Sequence, residues 1–101
     1  MKINKEKFLK TELGSGLKEC VIAWDRALDE CGKRRHAEIG CSKARRAADR
    51  CQAQWEVYQV VLRQFYGIEY HFTRSDEHVG VVAEDGGDWL FRMEKGEDGY
   101  E

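Results

Sequence analysis

The chain has 101 residues and a formal net charge of −2, with 42% apolar and 36% charged residues, which describes one domain with a modest core. This composition excludes a disordered chain, and no run approaches the roughly 20 apolar residues that span a bilayer. The first residues lack the continuous apolar segment of a signal peptide, so the sequence predicts a cytosolic protein with no membrane partner.

Charge is distributed unevenly along the chain. Residues 33–66 hold eight lysines and arginines against three acidic residues, whereas residues 67–101 hold three against ten. Such polarity suits oriented binding to a charged partner. Solvated faces without any partner produce the same pattern, and this alternative stays open.

The first third of the chain predicts an amphipathic helix that ends near Gly32. Its apolar residues recur at heptad spacing: Leu9, Leu13, Leu17, Cys20/Val21, Trp24, Leu28 and Cys31. Gly14 and Gly16 each cost about 1 kcal/mol relative to alanine inside a helix. Either the helix runs through both glycines and uses their small size to approach Tyr58, or a short helix from Asn4 to Leu13 breaks there.

The middle of the chain predicts a second helix with the same period. Its stripe consists of Ala37, Cys41, Ala44, Ala48, Cys51, Trp55, Tyr58, Leu62 and Phe65. The two helices are joined by about four to six residues, so they should pack antiparallel around a bend near residue 36. In that register Cys20 faces Cys51, and the large Trp24 faces the small Ala48.

The last third predicts a small antiparallel sheet after a helix cap at Gly67. Its strands are the stretches at 68–74, 79–84 and 88–94, in which apolar and polar residues alternate. Turn residues separate these stretches. The segment Trp55–Tyr66 is apolar around most of the helix, which requires a second packing partner besides the first helix. The sheet is expected to pack on that segment.

The predicted fold is therefore α+β, a long antiparallel helical hairpin followed by a three-stranded antiparallel β-meander. Residues 1–101 form a single domain, with the hairpin arm over 1–66, the sheet over 67–94 and a frayed tail over 95–101. A helix of about 30 residues is about 45 Å long, whereas a compact domain of this size has a radius of gyration near 13 Å. The basic end of the hairpin should thus project beyond an acidic sheet.

Four cysteines allow three interpretations. As disulfides, Cys31–Cys41 and Cys20–Cys51 would join the helices, but a cytosolic chain keeps its thiols reduced. As zinc ligands, Cys31, Cys41 and His36 lie close together, but no Cys-x-x-Cys pair and no fourth ligand accompany them. As small apolar residues the cysteines fill the hairpin core, which is the interpretation favoured here, so no metal or cofactor is predicted.

The basic end of the hairpin is the predicted binding site. Its members are Lys33, Arg34, Arg35, Lys43, Arg45, Arg46 and Arg50. Clustered guanidinium groups bind phosphates or acidic protein surfaces through charge-assisted hydrogen bonds. The alternative is a set of ordinary exposed charges, in which Asp49 supports Arg45 from the next helical turn.

The C-terminal third carries a predicted acidic surface. Its members are Asp76, Glu77, Glu84, Asp85 and Asp88. They either imitate nucleic-acid phosphate or bind a cation, or they are solvated turn residues without calcium-loop spacing. His71 and His78 flank a turn, but no nucleophile lies beside either, so the sequence predicts no catalytic site and no enzyme. Tyr100 and one of Tyr66 or Tyr70 are the candidates for an outward-facing aromatic anchor.

Five stretches along the chain carry a resemblance to other proteins: "KFLKTELG", "AWDRAL", "CQAQWEVYQ", "QFYGIEYHFTR" and "VGVVAEDGGDWLF". They resemble small proteins borne by phages and mobile elements of gut Firmicutes. Chains of this size from that setting include anti-CRISPR proteins, which are mostly non-enzymatic inhibitors that bind a Cas effector complex. The resemblance implies a setting, and no binding residue is carried over from it.

The leading hypothesis is a non-catalytic inhibitor of the anti-CRISPR type, which binds a host nuclease, a Cas effector or another protein–nucleic acid complex by protein–protein contact. A second hypothesis is direct nucleic-acid binding through the same basic hairpin end. A third is self-association, for example a homodimer with the arm of one copy on the sheet of another.

Overall fold

The computed structural model describes residues 5–36, 42–96 and 99–100. Its elements in chain order are α1 (Lys5–Lys10), α2 (Glu12–His36), α3 (Ser42–Tyr66), β1 (Tyr70–Arg74), β2 (His78–Ala83), β3 (Trp89–Gly96) and β4 (Gly99–Tyr100). The strands β1, β2 and β3 form an antiparallel sheet, and β4 pairs with the end of β3. The α+β fold with its closely packed α2 and α3 confirms the predicted fold class.

The register of the helical hairpin is visible at its cysteines. The thiol of Cys20 on α2 donates to the backbone carbonyl of Cys51 on α3 at 3.4 Å, which confirms the predicted pairing of these two positions. The small residues Ala44 and Ala48 are buried on the same side of α3 as Cys51, so the two helices approach closely there. The predicted bend falls largely on residues 37–41, which lie outside the described part of the chain.

The helical break occurs at Thr11 rather than at the two glycines. The amide of Gly14 donates to the Thr11 hydroxyl at 3.1 Å, so Thr11 is the N-cap of α2 and its side chain satisfies one of the first amides of the helix. From there α2 runs through Gly14 and Gly16 without interruption. A Cβ on Gly16 would lie 2.6 Å from the hydroxyl of Tyr58, which confirms the predicted close approach of these residues.

The sheet packs on α2 as well as on the end of α3. Tyr66 and Tyr70 make an edge-to-face contact with ring centroids 5.9 Å apart, which confirms the predicted packing at the C-terminal end of α3. The ring of Trp24, however, stacks on Phe72 of β1 at a centroid distance of 4.0 Å and an interplanar angle of 17°. The ring of Trp24 therefore joins α2 to the sheet, a contact that the sequence did not predict.

The end of the chain differs from the predicted frayed tail. The strand β3 continues to Gly96, and β4 returns along it with Lys95 opposite Tyr100. Gly67 has a φ of 68° and donates its amide to the Arg63 carbonyl at 2.8 Å, which confirms the predicted helix cap. Only a residue without a Cβ adopts this left-handed conformation readily, so Gly67 allows the chain to leave α3 and enter β1.

The sheet also reaches further along the hairpin than predicted. Arg74 at the end of β1 and Lys95 near the end of β3 both pair with Asp29 of α2. From Asp29 to His36 the helix extends by only about 10 Å. The molecule is elongated, 49 × 26 × 26 Å, and about two turns of α2 lie beyond its ion pairs with the sheet.

Candidate functional site

The predicted basic residues divide into two groups. Lys43, Arg45, Arg46 and Arg50 are all exposed on the first half of α3. Lys33, Arg34 and Arg35 belong to the last turn of α2, and their side chains lie outside the described part of the structure. The structure therefore places four of the seven predicted cations on one helix.

Three of these cations share one side of α3 with apolar residues further along. Residues three or four positions apart lie above one another on a helix. This spacing defines the α3 outer face, which consists of Lys43, Arg46, Arg50, Ala53, Val57 and Val60, all exposed. Ala44, Ala48 and Trp55 are buried on the opposite side, so the α3 outer face points away from α2.

The apolar half of this face is unusually open for aliphatic side chains. Val57 is 65% exposed and Val60 is 45% exposed. The sequence predicted that the sheet would pack on the segment Trp55–Tyr66, and it does so through Tyr66, but it leaves these two valines uncovered. On β1, Phe72 packs on Trp24 of α2 and Tyr70 packs on Tyr66 of α3.

The cationic half carries no compensating charge within the described ranges. Across residues 5–36, 42–96 and 99–100, none of Lys43, Arg45, Arg46 and Arg50 forms an ion pair. The predicted support of Arg45 by Asp49 is not formed there. Four unpaired cations on one helix keep their full capacity for charge-assisted hydrogen bonds to an external partner.

The predicted acidic surface is divided between two turns at opposite ends of the sheet. Asp76 and Glu77 lie in the β1–β2 turn, while Glu84, Asp85 and Asp88 lie in the β2–β3 turn, and all five are exposed. Asp88 forms an ion pair with Lys5, and Asp85 accepts a hydrogen bond from the Gly87 amide at 2.9 Å. The acidic groups thus form two small clusters and not one continuous head.

A buried charge cluster, absent from the sequence-based predictions, joins α2 to the sheet. Asp25 is completely buried and accepts hydrogen bonds from Arg74 Nε at 2.7 Å, from Lys95 Nζ at 3.1 Å and from the hydroxyl of Tyr100. Asp29, one turn further along α2, pairs with the same two cations. Because every partner of Asp25 comes from β1, β3 or β4, this cluster fixes the sheet at one position along α2.

The pKa values in this cluster follow from burial and hydrogen bonding. Burial works to raise the pKa of Asp25, but hydrogen bonds from Arg74, Tyr100 and Lys95 outweigh it and hold that pKa below its ordinary value. Burial, followed by the hydrogen bond to Asp25, raises the pKa of Tyr100 to about 12. The aspartate is therefore held ionised and the phenol neutral, which suits a structural role.

One sequence signal could have revealed this cluster. Asp25 follows Val21 by four residues and precedes Leu28 by three, so it lies on the apolar stripe of α2. An acidic residue on such a stripe either disrupts packing or meets a cation from elsewhere in the fold. Tyr100, expected as an outward anchor, is turned inward by Asp25, and the other two candidates, Tyr66 and Tyr70, are both buried.

The cysteines behave as core residues where they are described. Cys20 and Cys51 are buried thiols that form no disulfide, and Cys31 is buried as well. Burial, with the nearby Cys51, raises the pKa of Cys20 to about 11, which keeps the thiol neutral. Cys41 and the side chain of His36 lie outside the described residues, so the structure does not test the alternative in which they bind zinc.

The outer face of the sheet carries a half-buried tryptophan, Trp89. The indole of Trp89 lies over Gly80, where an added Cβ would come within 3.1 Å of the ring. The guanidinium of Arg92 lies 5.5 Å from the indole centroid, and the ring of His78 meets it edge-on, also at 5.5 Å. His78 in turn shares a hydrogen bond of 3.2 Å with the Ser75 hydroxyl. These contacts hold Trp89 flat on the sheet.

Comparisons with protein-family models, with curated proteins and with solved structures gave no match. Within the described ranges, no helix combines the length and the apolar character that crossing a bilayer requires. The geometry of the chain itself is therefore the basis for assigning a function.

Proposed function

We propose that this protein is a non-catalytic binding protein that uses the α3 outer face to engage a macromolecular partner by protein–protein contact. The observation that carries the proposal is the exposed row of Lys43, Arg46 and Arg50 continued by Val57 and Val60. Partner-binding surfaces combine an apolar centre with charged groups at the rim, and arginine is enriched in them.

The order of residues on α3 specifies the chemistry of the partner. The first half offers cations that form no ion pair with any described residue, so it complements carboxylates or phosphates. The second half offers two valines that lose hydration on contact, so it complements an apolar patch. The expected partner surface is therefore acidic next to apolar.

The resemblance to small phage and mobile-element proteins supplies a class for this partner. We propose an inhibitor of the anti-CRISPR type, whose partner is a host nuclease or Cas effector. Such effectors hold nucleic acid in positively charged channels. The cationic half of the α3 outer face would be repelled by such a channel, so the proposed contact is an acidic and apolar surface outside it, where binding would interfere with assembly or movement of the effector.

The test first captures the partner and then measures the affinity of that partner for the native protein and for matched charge variants. The tagged protein captures its partner from the native host, the partner is identified by mass spectrometry, and the purified pair is titrated. We expect Arg46→Glu/Arg50→Glu to weaken binding about tenfold or more, because two interface charges of order 1 kcal/mol each are reversed. Lys10→Glu/Arg63→Glu, which changes the net charge equally at exposed positions elsewhere, should retain affinity.

A variant in the apolar half separates the two contributions. Val57→Asp introduces a charge into the proposed centre of contact without removing a buried side chain, since Val57 is 65% exposed. We expect this variant to keep its melting temperature and to lose affinity. Equal binding by the native protein, Val57→Asp and Arg46→Glu/Arg50→Glu would remove α3 from the interface.

The same variants distinguish the other two hypotheses. Direct nucleic-acid binding predicts affinity for DNA or RNA that falls with salt at a slope of about −0.9 per phosphate neutralised, and indifference to Val57→Asp. Self-association predicts a molecular mass by light scattering that rises with protein concentration and falls in Arg46→Glu/Arg50→Glu. A monomer with no affinity for nucleic acid rejects both.

A further inference from the structure

The outer edge of the sheet brings together one imidazole and two carboxylates that no other part of the fold uses. The side chains of Glu69, His71 and Glu84 each present one ligand atom, and these three atoms lie within 4.8 Å of one another. His71 and Glu84 are exposed, and Glu69 is half-buried. We propose that this trio, the edge site, binds a divalent transition-metal ion, with Zn²⁺ as the best fit.

The backbone fixes the position of all three ligands. Glu84 donates its amide to the Glu69 carbonyl at 2.8 Å, which extends the β1–β2 ladder by one residue beyond the pair Tyr70 and Ala83. Glu69 and Glu84 therefore lie directly opposite each other, and His71, two residues after Glu69, lies on the same face of the sheet. Tyr70 points the other way into the core, so its ring does not separate the side chains of Glu69 and His71.

The local electrostatics favour a cation at this point. Like charges directly opposite each other on neighbouring strands are destabilising. Nevertheless, within the described ranges the side chains of Glu69, His71 and Glu84 form no ion pair and no hydrogen bond with the rest of the protein. A bound divalent ion removes the repulsion between the two carboxylates, and the imidazole serves as its third ligand.

The donor set selects the class of metal. One nitrogen and two carboxylate oxygens suit zinc and its neighbours in the first transition series, whereas Ca²⁺ and Mg²⁺ prefer oxygen ligands throughout. In a tetrahedral zinc site with bonds of about 2.0–2.1 Å, the ligand atoms lie roughly 3.3 Å apart. The present separations, up to 4.8 Å, are wider than that, so binding requires the exposed side chains of His71 and Glu84 to rotate toward the ion.

The surroundings leave room for the rest of the coordination sphere. Glu69 and Glu84 line a shallow cavity of about 410 Å³ together with Gly67, Ile68 and Asp85. Three protein ligands and an open, solvated position are the arrangement of an accessible zinc site rather than a closed structural one. The bound ion would join the entry of β1 to the exit of β2 and keep one coordination position open to solvent.

In the experiment, a chelator first removes metal from the full chain. The chain is then titrated with Zn²⁺, and calorimetry measures the binding. We expect one Zn²⁺ per chain, and we expect His71→Asn to weaken the affinity by at least about tenfold, because loss of even a supporting group has that effect. Glu84→Gln, an exposed and nearly isosteric change, is the second variant and should weaken binding similarly. His78→Asn replaces the other histidine of the same sheet and should leave the affinity unchanged.

A cobalt titration separates the edge site from the cysteines. Co²⁺ bound by nitrogen and oxygen ligands gives no thiolate-to-metal charge-transfer absorption, so the expected spectrum contains only weak ligand-field bands. Three results would overturn the proposal: no Zn²⁺ binding, binding that is equal in the native protein, His71→Asn and Glu84→Gln, or a charge-transfer band that shows cysteine ligation.

Discussion

Asp25 in the middle of α2 accepts a hydrogen bond from the hydroxyl of Tyr100, a residue 75 positions later in the chain. Arg74 and Lys95 complete the surroundings of the same carboxylate. A buried charge is tolerated only when it is paired and hydrogen-bonded, and each partner here comes from a different strand. Asp25 is therefore the one described residue of α2 whose carboxylate contacts three strands of the sheet at once.

Replacing Asp25 by asparagine is expected to destabilise the fold strongly. The substitution leaves Arg74 and Lys95 without a buried counter-charge, and we expect a loss of about 2–4 kcal/mol in the free energy of unfolding, reduced from a fully buried pair because Arg74 is partly exposed. Chemical denaturation measures this loss. Asp29→Asn is the matched control, because it affects the same two cations at a half-exposed position and should cost only about 0.5 kcal/mol.

Stability should fall in acid as Asp25 becomes protonated. Because its pKa is lower in the folded state, the ionised carboxylate contributes stability that is fully present above the ordinary aspartate pKa of about 3.9. That contribution is lost as the pH falls through the lower pKa of the folded state. Denaturation at a series of pH values should show a shallower acid decline in Asp25→Asn than in the native protein, and parallel curves would contradict this assignment.

Tyr100 should lose its proton at a higher pH than the other tyrosines whose pKa changes on folding. Its pKa is raised to about 12, so the neutral phenol contributes stability that is complete below the ordinary tyrosine pKa of about 10 and is lost as the pH rises through 12. Ultraviolet difference absorption of tyrosinate follows this step. In Tyr100→Phe the most alkaline step should disappear, with a loss of about 1–2 kcal/mol in stability from the missing charged hydrogen bond.

Two glycines of α2 should respond to alanine in opposite directions. An added Cβ at Gly14 would collide with the backbone carbonyl of Phe8, which cannot move without shifting α1. At Gly32 an added Cβ meets no atom within 4 Å. Gly32→Ala should therefore raise the free energy of unfolding by up to about 1 kcal/mol through helix propensity, whereas Gly14→Ala should lower it. Thermal denaturation of the two variants distinguishes them, and stabilisation by Gly14→Ala would refute the close approach of α1.

The sequence was sufficient to predict the helical hairpin, because heptad spacing and residue size both indicate which residues of α3 pack against α2. Ala44, Ala48 and Cys51 are buried as that spacing requires, and Cys20 meets Cys51. The position of the sheet was harder to predict, because periodicity identifies an apolar face and not the element that covers it. Val57 and Val60 thus remain exposed while Trp24 is covered.

For the candidate sites too, arrangements of residues close together in the sequence were easier to predict than arrangements of residues far apart. Spacing along one helix placed Lys43, Arg46 and Arg50 on a common face, since three and four residues make one turn. The edge site joins Glu69, His71 and Glu84 through strand register, and the Asp25 cluster joins segments up to 75 residues apart. Neither arrangement follows from any single stretch of sequence.

The dependence of Asp25 on Tyr100 and Lys95 has a consequence for biosynthesis. Lys95 and Tyr100 are made after the hairpin and after Arg74, so the carboxylate of Asp25 faces water until these last strands are in place. A chain that stops short of Lys95 lacks two of the three described partners of Asp25. We expect such a chain to form the helical hairpin but to hold its sheet on α2 weakly.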